Sequence, residues 1–598
     1  MTILINGMVA ALKEKSTFEF ISENRYFSGA DSYSLAITFP LKDCPQNIAI
    51  FGHITRKDVE KGTLLLECEL RDKSFYKKGS ITVTELDDVQ VKTQFLEGRS
   101  ATNFVSSFDD VYINELELGY PDTTPANNPV NTVNRRTDYV ALPWVNNSSG
   151  NIQNKINLSS SGATWNCNKL SFQPYMLWLV KKMCDVLNYS YDFSPWENSN
   201  YRYLLVCNTL PAAWNIANFA RALPHWTMTE FLEELELLMN CEFDIDRLQR
   251  KVTFRFSRHV IESCGTTQLQ HILNDYEMAT QDAGDCKYKG CTNIKYADCS
   301  HRMWKYYHNP EFIKFWKGMG TSLYKEYDEV SELSQIGINV GYKEREAEEV
   351  FVGGISRLWY CRDIDRYVIS RVTNTEKLYE TEIEGEPITY FKYYVAPQIV
   401  NSFEPRMVNE GGETKELRIV PVWLDDTEPL KGQVIFLEMP DLRNEKSAKP
   451  YNGFSDWTEA MAHLAPEPDY CIKEMDFAKE DEEFLDKIYV GFWSGEDTYS
   501  TYRHPHIDVV TFYPDWTYIR HDWSLSLNSN TFGDYKDPHK IDPTKKYTFK
   551  FLADDIPNVR SLFIIYGKRY VCEKITATFT ENGMSQLLKG TFYPILDE

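Results

Sequence analysis

The sequence predicts an α+β chain dominated by β structure, on three observations. Aromatic residues make up 14% of it, with 37 Tyr and 33 Phe, side chains that suit pleated, half-buried surfaces. Short runs alternate apolar with small or polar residues, the period of a strand that buries one face. Three-to-four spacing, the helical period, is strong in only two stretches near the middle of the chain.

At 598 residues the chain is long enough for about three to five domains. Hydrophobic residues at 42% and charged residues at 25% exclude a disordered, collagen-like or membrane-embedded chain. The 87 Asp and Glu against 64 Lys and Arg give a net charge of −23. Such a field repels phosphate backbones, which argues against groove-reading nucleic-acid binding, and the clearest basic patch, Asn134-Arg135-Arg136, holds only two charges. Thirteen scattered cysteines, an odd number, match thiols kept reduced in cytosol rather than a disulfide framework. The opening MTILINGMVAALKEK lacks the basic run and cleavage site of a signal peptide, and no apolar run reaches the roughly 20 residues of a membrane helix.

Residues 1–125 read as a first β domain. Tyr33, Leu35, Ile37 and Phe39 alternate with Ser34, Ala36 and Thr38 up to Pro40, and further strand-like runs lie at 17–21, 63–70, 80–86 and 111–118. Residues 126–168 are a long polar loop rich in Asn, Ser, Thr and Pro, well beyond the 12 to 15 residues usual for a loop without structure. Residues 169–285 read as a helical α+β insertion. Met176, Leu179, Val180, Met183 and Leu187 form one apolar helical face. A second helix starts at Thr227, which stands in capping-box relation to Glu230 while Trp226 and Phe231 can staple the same turn. Cys241, Phe243 and Ile245 then alternate with Glu242, Asp244 and Asp246, a turn follows over 247–250, and Val252, Phe254 and Phe256 return as the second strand of a hairpin. Residues 286–430 are mixed, helical near 310–333 and strand-like at 367–372 and 390–395; residues 431–540 form a β-rich accessory domain with little periodicity. Residues 541–598 close the chain as a β meander, its runs at 562–565, 570–579 and 587–592 separated by Gly567-Lys568 and Asn582-Gly583.

The chain contains no HExxH, GxSxG, GxxxxGK[ST] or GxGxxG motif. Cys286, Cys291, Cys299 and His301 have ligand types for zinc, but their gaps of four, seven and one residues do not match the paired spacing of zinc modules; reduced cysteines in a strand-rich segment are the plainer reading. His504, His506 and Asp508 share one face if the segment is a strand, with His521 the nearest further ligand, although Pro505 favours an edge strand or loop. Phe492, Trp493, Tyr499 and Tyr502, mixed with Glu496 and Asp497, can stack on and hydrogen-bond a sugar, or simply pack a core or interface. Trp178 and Met176 on the first helix read as core.

Five stretches together resemble the tail hub proteins of tailed phages and prophages of gut Bacteroidales: FSGADSYSLAITFPLKDCPQNIAIFGHITR, SFDDVYINELELGYP, LSFQPYMLWLVKKMCDVLNYSYDF, WTMTEFLEELELLMNCEFDID and YGKRYVCEKITATFTENGMSQLLKGTFYPI. The resemblance implies a baseplate or tail-tip hub with two tail-tube-like β-barrel or sandwich domains per subunit, assembled as a homotrimer whose pseudo-sixfold ring matches a hexameric tube. On this analogy the second tube-like domain combines parts of 286–430 with the meander of 541–598. The implied partners are the tail tube or distal tail protein, the tape measure protein and tail spike or fibre proteins, with phage DNA only in transit. The implied place is the virion tail, assembled in the bacterial cytoplasm. Such a protein is structural and is expected to have no catalytic residue, cofactor or metal. The acidic balance suits a DNA channel, because anionic walls let phosphates slide. Two other readings stay open: a glycan-directed hydrolase or binding protein using the aromatic and acidic segment 491–508, and a metal-dependent hydrolase using His504, His506 and Asp508.

Overall fold

One fourteen-stranded sheet holds both ends of the chain. The protein is seen in a computed structural model that describes residues 1–28, 32–52, 54–56, 65–98, 108–121, 137–143, 156–159, 162–165, 170–208, 218–246, 249–297, short segments and strands between 324 and 422, and 486–493, 510–512, 518–520, 524–527 and 540–596. β structure dominates, in large, mainly antiparallel sheets. The large sheet runs in the order Ile272–Thr280, Lys545–Leu552, Gly583–Pro594, Lys568–Thr580, Thr17–Glu23, Tyr33–Ser34, Gln90–Leu96, Phe75–Leu86, Leu65–Asp72, Thr2–Ile5 and Met8–Ala10. Leu562–Ile565 also pairs with Lys568–Thr580, and Ile37–Pro40 with Gln90–Leu96. The sheet is open, and no barrel closes among the described residues.

Its centre is a seam between the two ends of the sequence. Thr17–Glu23 pairs antiparallel with Lys568–Thr580, from Thr17 opposite Thr580 to Glu23 opposite Lys574. Alternation along Thr17–Glu23 turns Phe18 and Phe20 inward. Phe18 stacks on Phe579 at 5.3 Å between ring centres, Phe20 meets Phe75 edge-on at 5.2 Å, and Phe75 reaches Phe579 at 4.9 Å. Burying each such ring contributes about 1.5–3 kcal/mol. The meander's first turn places Tyr566 at φ 49° and Gly567 at φ 77°, the positive pair that a two-residue hairpin needs to follow the strand twist.

A second body is built around two helices. Met176–Val186 buries Met176, Leu179, Val180 and Met183 on the face its spacing predicts. Met228–Met239 starts at the expected capping box: Thr227 Oγ1 accepts from the Glu230 amide at 3.1 Å, and Glu230 Oε2 accepts from the Thr227 amide at 2.9 Å. Asn240, in the left-handed region at φ 47°, ends the helix and releases the chain into the hairpin Cys241–Asp246 with Lys251–Phe256, in the register Cys241 opposite Phe256. Trp196, Phe193, Phe231 and Phe243 are fully buried in this core.

The described parts of the later regions join this second core. Ile488–Phe492 pairs with Leu204–Val206 and Ile419–Pro421, Asn293–Tyr296 runs parallel to Thr414–Leu417, and Leu525 and Leu527 are buried in the same cluster. A separate five-stranded sheet carries the long hairpin Arg366–Ile383 with Glu386–Asn401, which contains both runs expected at 367–372 and 390–395.

Several local expectations change. The run 33–39 is two strands, Tyr33–Ser34 and Ile37–Pro40, on either side of an interruption. The run 111–118 is no strand: it holds the short 3-10 helix Ile113–Glu115 and turns Ile113, Leu116 and Leu118 into the second core. Within the expected polar loop, Tyr139–Pro143 pairs with Leu170–Pro174, and Ile156–Ser159 with Gly162–Trp165. Tyr324–Tyr327, inside the segment expected to be helical, is a strand. The meander pairs with Ile272–Thr280 and Thr266–Gln268 from the expected insertion, and among the described residues no strand of 286–430 joins it.

Candidate functional site

The two bodies meet at a buried ion cluster. It begins where Thr17–Glu23 ends, at a tight segment that Asn24 pins to the meander: its amide donates to the Glu573 carbonyl at 2.8 Å, and its side-chain amide donates to the Cys572 and Val559 carbonyls at 2.8 and 3.3 Å. The pinned turn delivers Arg25 to the second body. There Arg25 Nη1 lies 3.3 Å from Glu242 Oε2 and Nη2 lies 3.5 Å from Asp244 Oδ1. Arg560, from the loop before Leu562–Ile565, brings its own Nη1 to 3.3 Å from the same Glu242 oxygen.

Glu242 therefore bridges two guanidinium groups from opposite ends of the chain. Burial pushes its carboxyl pKa up, but the charges of Arg560 and Arg25, with smaller help from the neighbouring Tyr26 and Lys289, together hold it below the usual carboxylate range. Tyr26 moves the other way: burial first, then the charge of Glu242, push its hydroxyl far above the usual phenol range, so it stays protonated and donates to the Ser257 carbonyl at 3.0 Å. Below the cluster, Glu236 Oε1 accepts from the Phe243 amide at 2.8 Å, and Lys289 Nζ donates to the Cys241 carbonyl at 3.3 Å. Rings close the junction: Phe27 stacks on Tyr593 at 5.1 Å and contacts Tyr288 at 4.9 Å. A carboxylate locked between two arginines holds surfaces together; a low pKa makes it a poor proton donor near neutral pH.

The second feature is the edge of the large sheet. Among the described residues Ile272–Thr280 pairs only with Lys545–Leu552, and from Asn274 onward its residues are exposed on both faces. Tyr276 and Met278 are 59% and 51% exposed there, and Tyr276 lies against Phe549 and Tyr547 at 5.8 and 6.3 Å. At the opposite edge, Met8–Ala10, Met8 and Val9 are exposed as well; there the Gln46 side-chain amide donates to the Val9 carbonyl, and just beyond the strand Asn47 both accepts from the Ala11 amide and donates to its carbonyl at 2.9 Å. Edge strands left open in this way are templates for another strand.

Of the residues singled out in the sequence, Cys286 and Cys291 lie together beside the junction, while Cys299 and His301 fall outside the described residues. So do His504, His506, Asp508 and His521, the basic pair Arg135 and Arg136, and Glu496, Asp497, Tyr499 and Tyr502. Among the described residues no three His, Cys, Asp or Glu side chains gather as metal ligands. Phe492 and Trp493 are buried, at 0% and 2% exposure, and the Trp493 carbonyl accepts from the Tyr175 hydroxyl at 3.4 Å; they pack a core and offer no sugar-stacking face. Met176 is core as expected, and Trp178 packs half-buried against it. The ion cluster went unforeseen because alternation along Cys241–Asp246 assigns Glu242 to a solvent face, whereas Glu242 is buried. No protein-family model matches the chain, and no curated protein matches it significantly. Among the described residues no helix is long and apolar enough to cross a membrane.

Proposed function

We propose that the chain is a structural virion protein, the tail or baseplate hub of a tailed phage of gut Bacteroidales, which joins a hexameric tail tube to a threefold tip and lines the DNA channel. The observation that carries this reading is the seam between Thr17–Glu23 and Lys568–Thr580. Through it one chain lays two β modules side by side in a continuous sheet, the relation that two successive subunits of a tube would have. Three such chains present six modules, which matches threefold to sixfold symmetry. The module boundaries follow the pairing: 1–98 on one side, and 266–280 with 540–596 on the other.

The open edge Ile272–Thr280 supports the same reading, since ring closure needs a strand edge that accepts a neighbour. The net charge of −23 keeps channel walls from holding phosphates by counterion release. The second body and the residues after it would face tail tube, distal tail, tape measure and fibre or spike proteins. The role is symmetry matching and channel continuation, without bond chemistry. The test is electron-microscopy class averages of the purified protein at high concentration, alone and with purified tail-tube protein. Threefold rings with an opening wide enough for duplex DNA are expected; compact monomers in both samples would overturn the reading.

A further inference from the structure

The large sheet ends on two strands that each pair on one side only among the described residues, Ile272–Thr280 and Met8–Ala10. Both turn backbone groups outward. The Gln281 amide donates to the Thr544 carbonyl at 3.0 Å, and bonded and unbonded pairs alternate along an antiparallel ladder. Glu277 and Ala279 therefore aim their backbone at Lys545–Leu552, while Tyr276, Met278 and Thr280 aim theirs away from it. On Met8–Ala10 the Val9 carbonyl accepts from the Gln46 side chain, so Val9 is the residue whose amide and carbonyl face away from Thr2–Ile5. The side chains of the two edges also match. Tyr276 and Met278 stand opposite Phe549 and Tyr547 on the face that carries the core, and Met8 stands opposite Ile5 on that same face; all three are exposed. The other face of the first edge carries Asp275 and Glu277, whereas residues 1–13 contain no acid and end in Lys13.

We propose that these two edges meet between copies of the chain, Ile272–Thr280 of one pairing with Met8–Ala10 of the next. The inference rests on the ring-forming reading above and names the two strands that close the ring. Because the edges differ, the contact is heterologous: each copy uses one edge at either end of its sheet, and three copies close on themselves. The outward amides and carbonyls of Tyr276 and Met278 pair with those of Val9. Gln46 has an exposed side chain and yields the Val9 carbonyl to a backbone amide. Asn47 is buried and keeps both backbone groups of Ala11, which limits the pairing to the residues before it. On the core face Tyr276 and Met278 cover Met8, a cross-strand contact that carries the apolar face across the joint. On the other face Asp275 and Glu277 meet an uncharged strand followed by Lys13. Pairing Ile272–Thr280 with a second copy of itself would instead crowd four carboxylates on one face, which like-charge repulsion disfavours.

The test uses the full chain with Tyr276 replaced by the photocrosslinking residue p-benzoylphenylalanine, mixed with an unaltered chain labelled with heavy nitrogen. The mixture is illuminated alone and with purified tail-tube protein, imaged by electron microscopy, and digested with trypsin, which releases residues 259–287 and 1–13 as single peptides. The expected product joins light 259–287 to heavy 1–13, in samples that show threefold rings. Val9→Pro in the heavy chain removes the outward amide, and Met8→Lys puts a charge under Tyr276; each is expected to abolish the crosslink, with melting temperatures showing that both variants are folded. Rings whose crosslink falls on any other peptide, stays within the light chain, does not form, or survives both variants would overturn this pairing and leave the hub reading standing. Compact monomers in both samples would overturn the hub reading and the pairing with it.

Discussion

Arg25 and Glu242 stand 217 positions apart in sequence and 3.3 Å apart in space, and both side chains are only 3% exposed. A charge so deeply buried persists because its partner is there; removing one side leaves the other uncompensated. Arg560 on the same carboxylate oxygen ties the two ends of the chain to the middle through one residue.

Glu242→Gln is therefore expected to destabilise the protein by about 3 kcal/mol, since two arginines lose their counter-charge in a dry site. Equilibrium denaturant unfolding measures it. A loss no larger than that of a surface substitution, about 0.5 kcal/mol, would mean that the cluster is solvated.

The same residue sets an acid limb. The Glu242 carboxyl is held below its ordinary value in the folded state, so its stabilisation is complete above the unfolded-chain value of about 4.3. It is lost as pH falls below that value and through the folded one. Unfolding midpoints measured between neutral and acid pH should fall more gently in Glu242→Gln than in the unaltered protein.

Gly79 lies where Phe75–Leu86 pairs with Gln90–Leu96, and a methyl group there would sit 2.3 Å from the Leu96 carbonyl oxygen and 2.8 Å from the Phe95 ring. Backbone cannot step aside as a long side chain can. Gly79→Ala is expected to cost about 3 kcal/mol by overpacking, read as a lowered melting temperature.

Thr227→Ala removes one half of the capping box that starts Met228–Met239. A loss of about 1 kcal/mol is expected, with Thr227→Ser retaining most of it. Equal stability of the alanine and serine variants would show that packing alone fixes this helix start.

Tyr276→Lys and Met278→Lys place charge on the open edge strand, where both native side chains are exposed. Monomer stability should shift by no more than about 0.5 kcal/mol, while any ring assembly seen for the unaltered chain is lost. Rings that survive both changes would move the subunit contact elsewhere.

Much of the local structure was legible because it depends on near neighbours in sequence. Helical spacing marked Met176–Val186, the Thr227 and Glu230 pair marked the next helix start, and a period of two marked both strands of the hairpin that follows. The closing meander was readable for the same reason, from alternation and turn-forming residues. Where a local pattern had two physical outcomes, it misled: apolar residues at 111–118 fill a core without forming a strand.

The sequence alone determined a β-rich chain, its acidic charge, and which faces of its helices and strands are apolar, because composition and period are properties of adjacent residues. Tertiary structure decided which edges meet. The pairing of Thr17–Glu23 with Lys568–Thr580 and the meeting of Arg25, Glu242 and Arg560 join residues hundreds of positions apart. Alternation shows that a strand has a polar face. Only the packing of the second body against the sheet decided that Glu242 on that face would be sealed from water and Ile272–Thr280 left open to it.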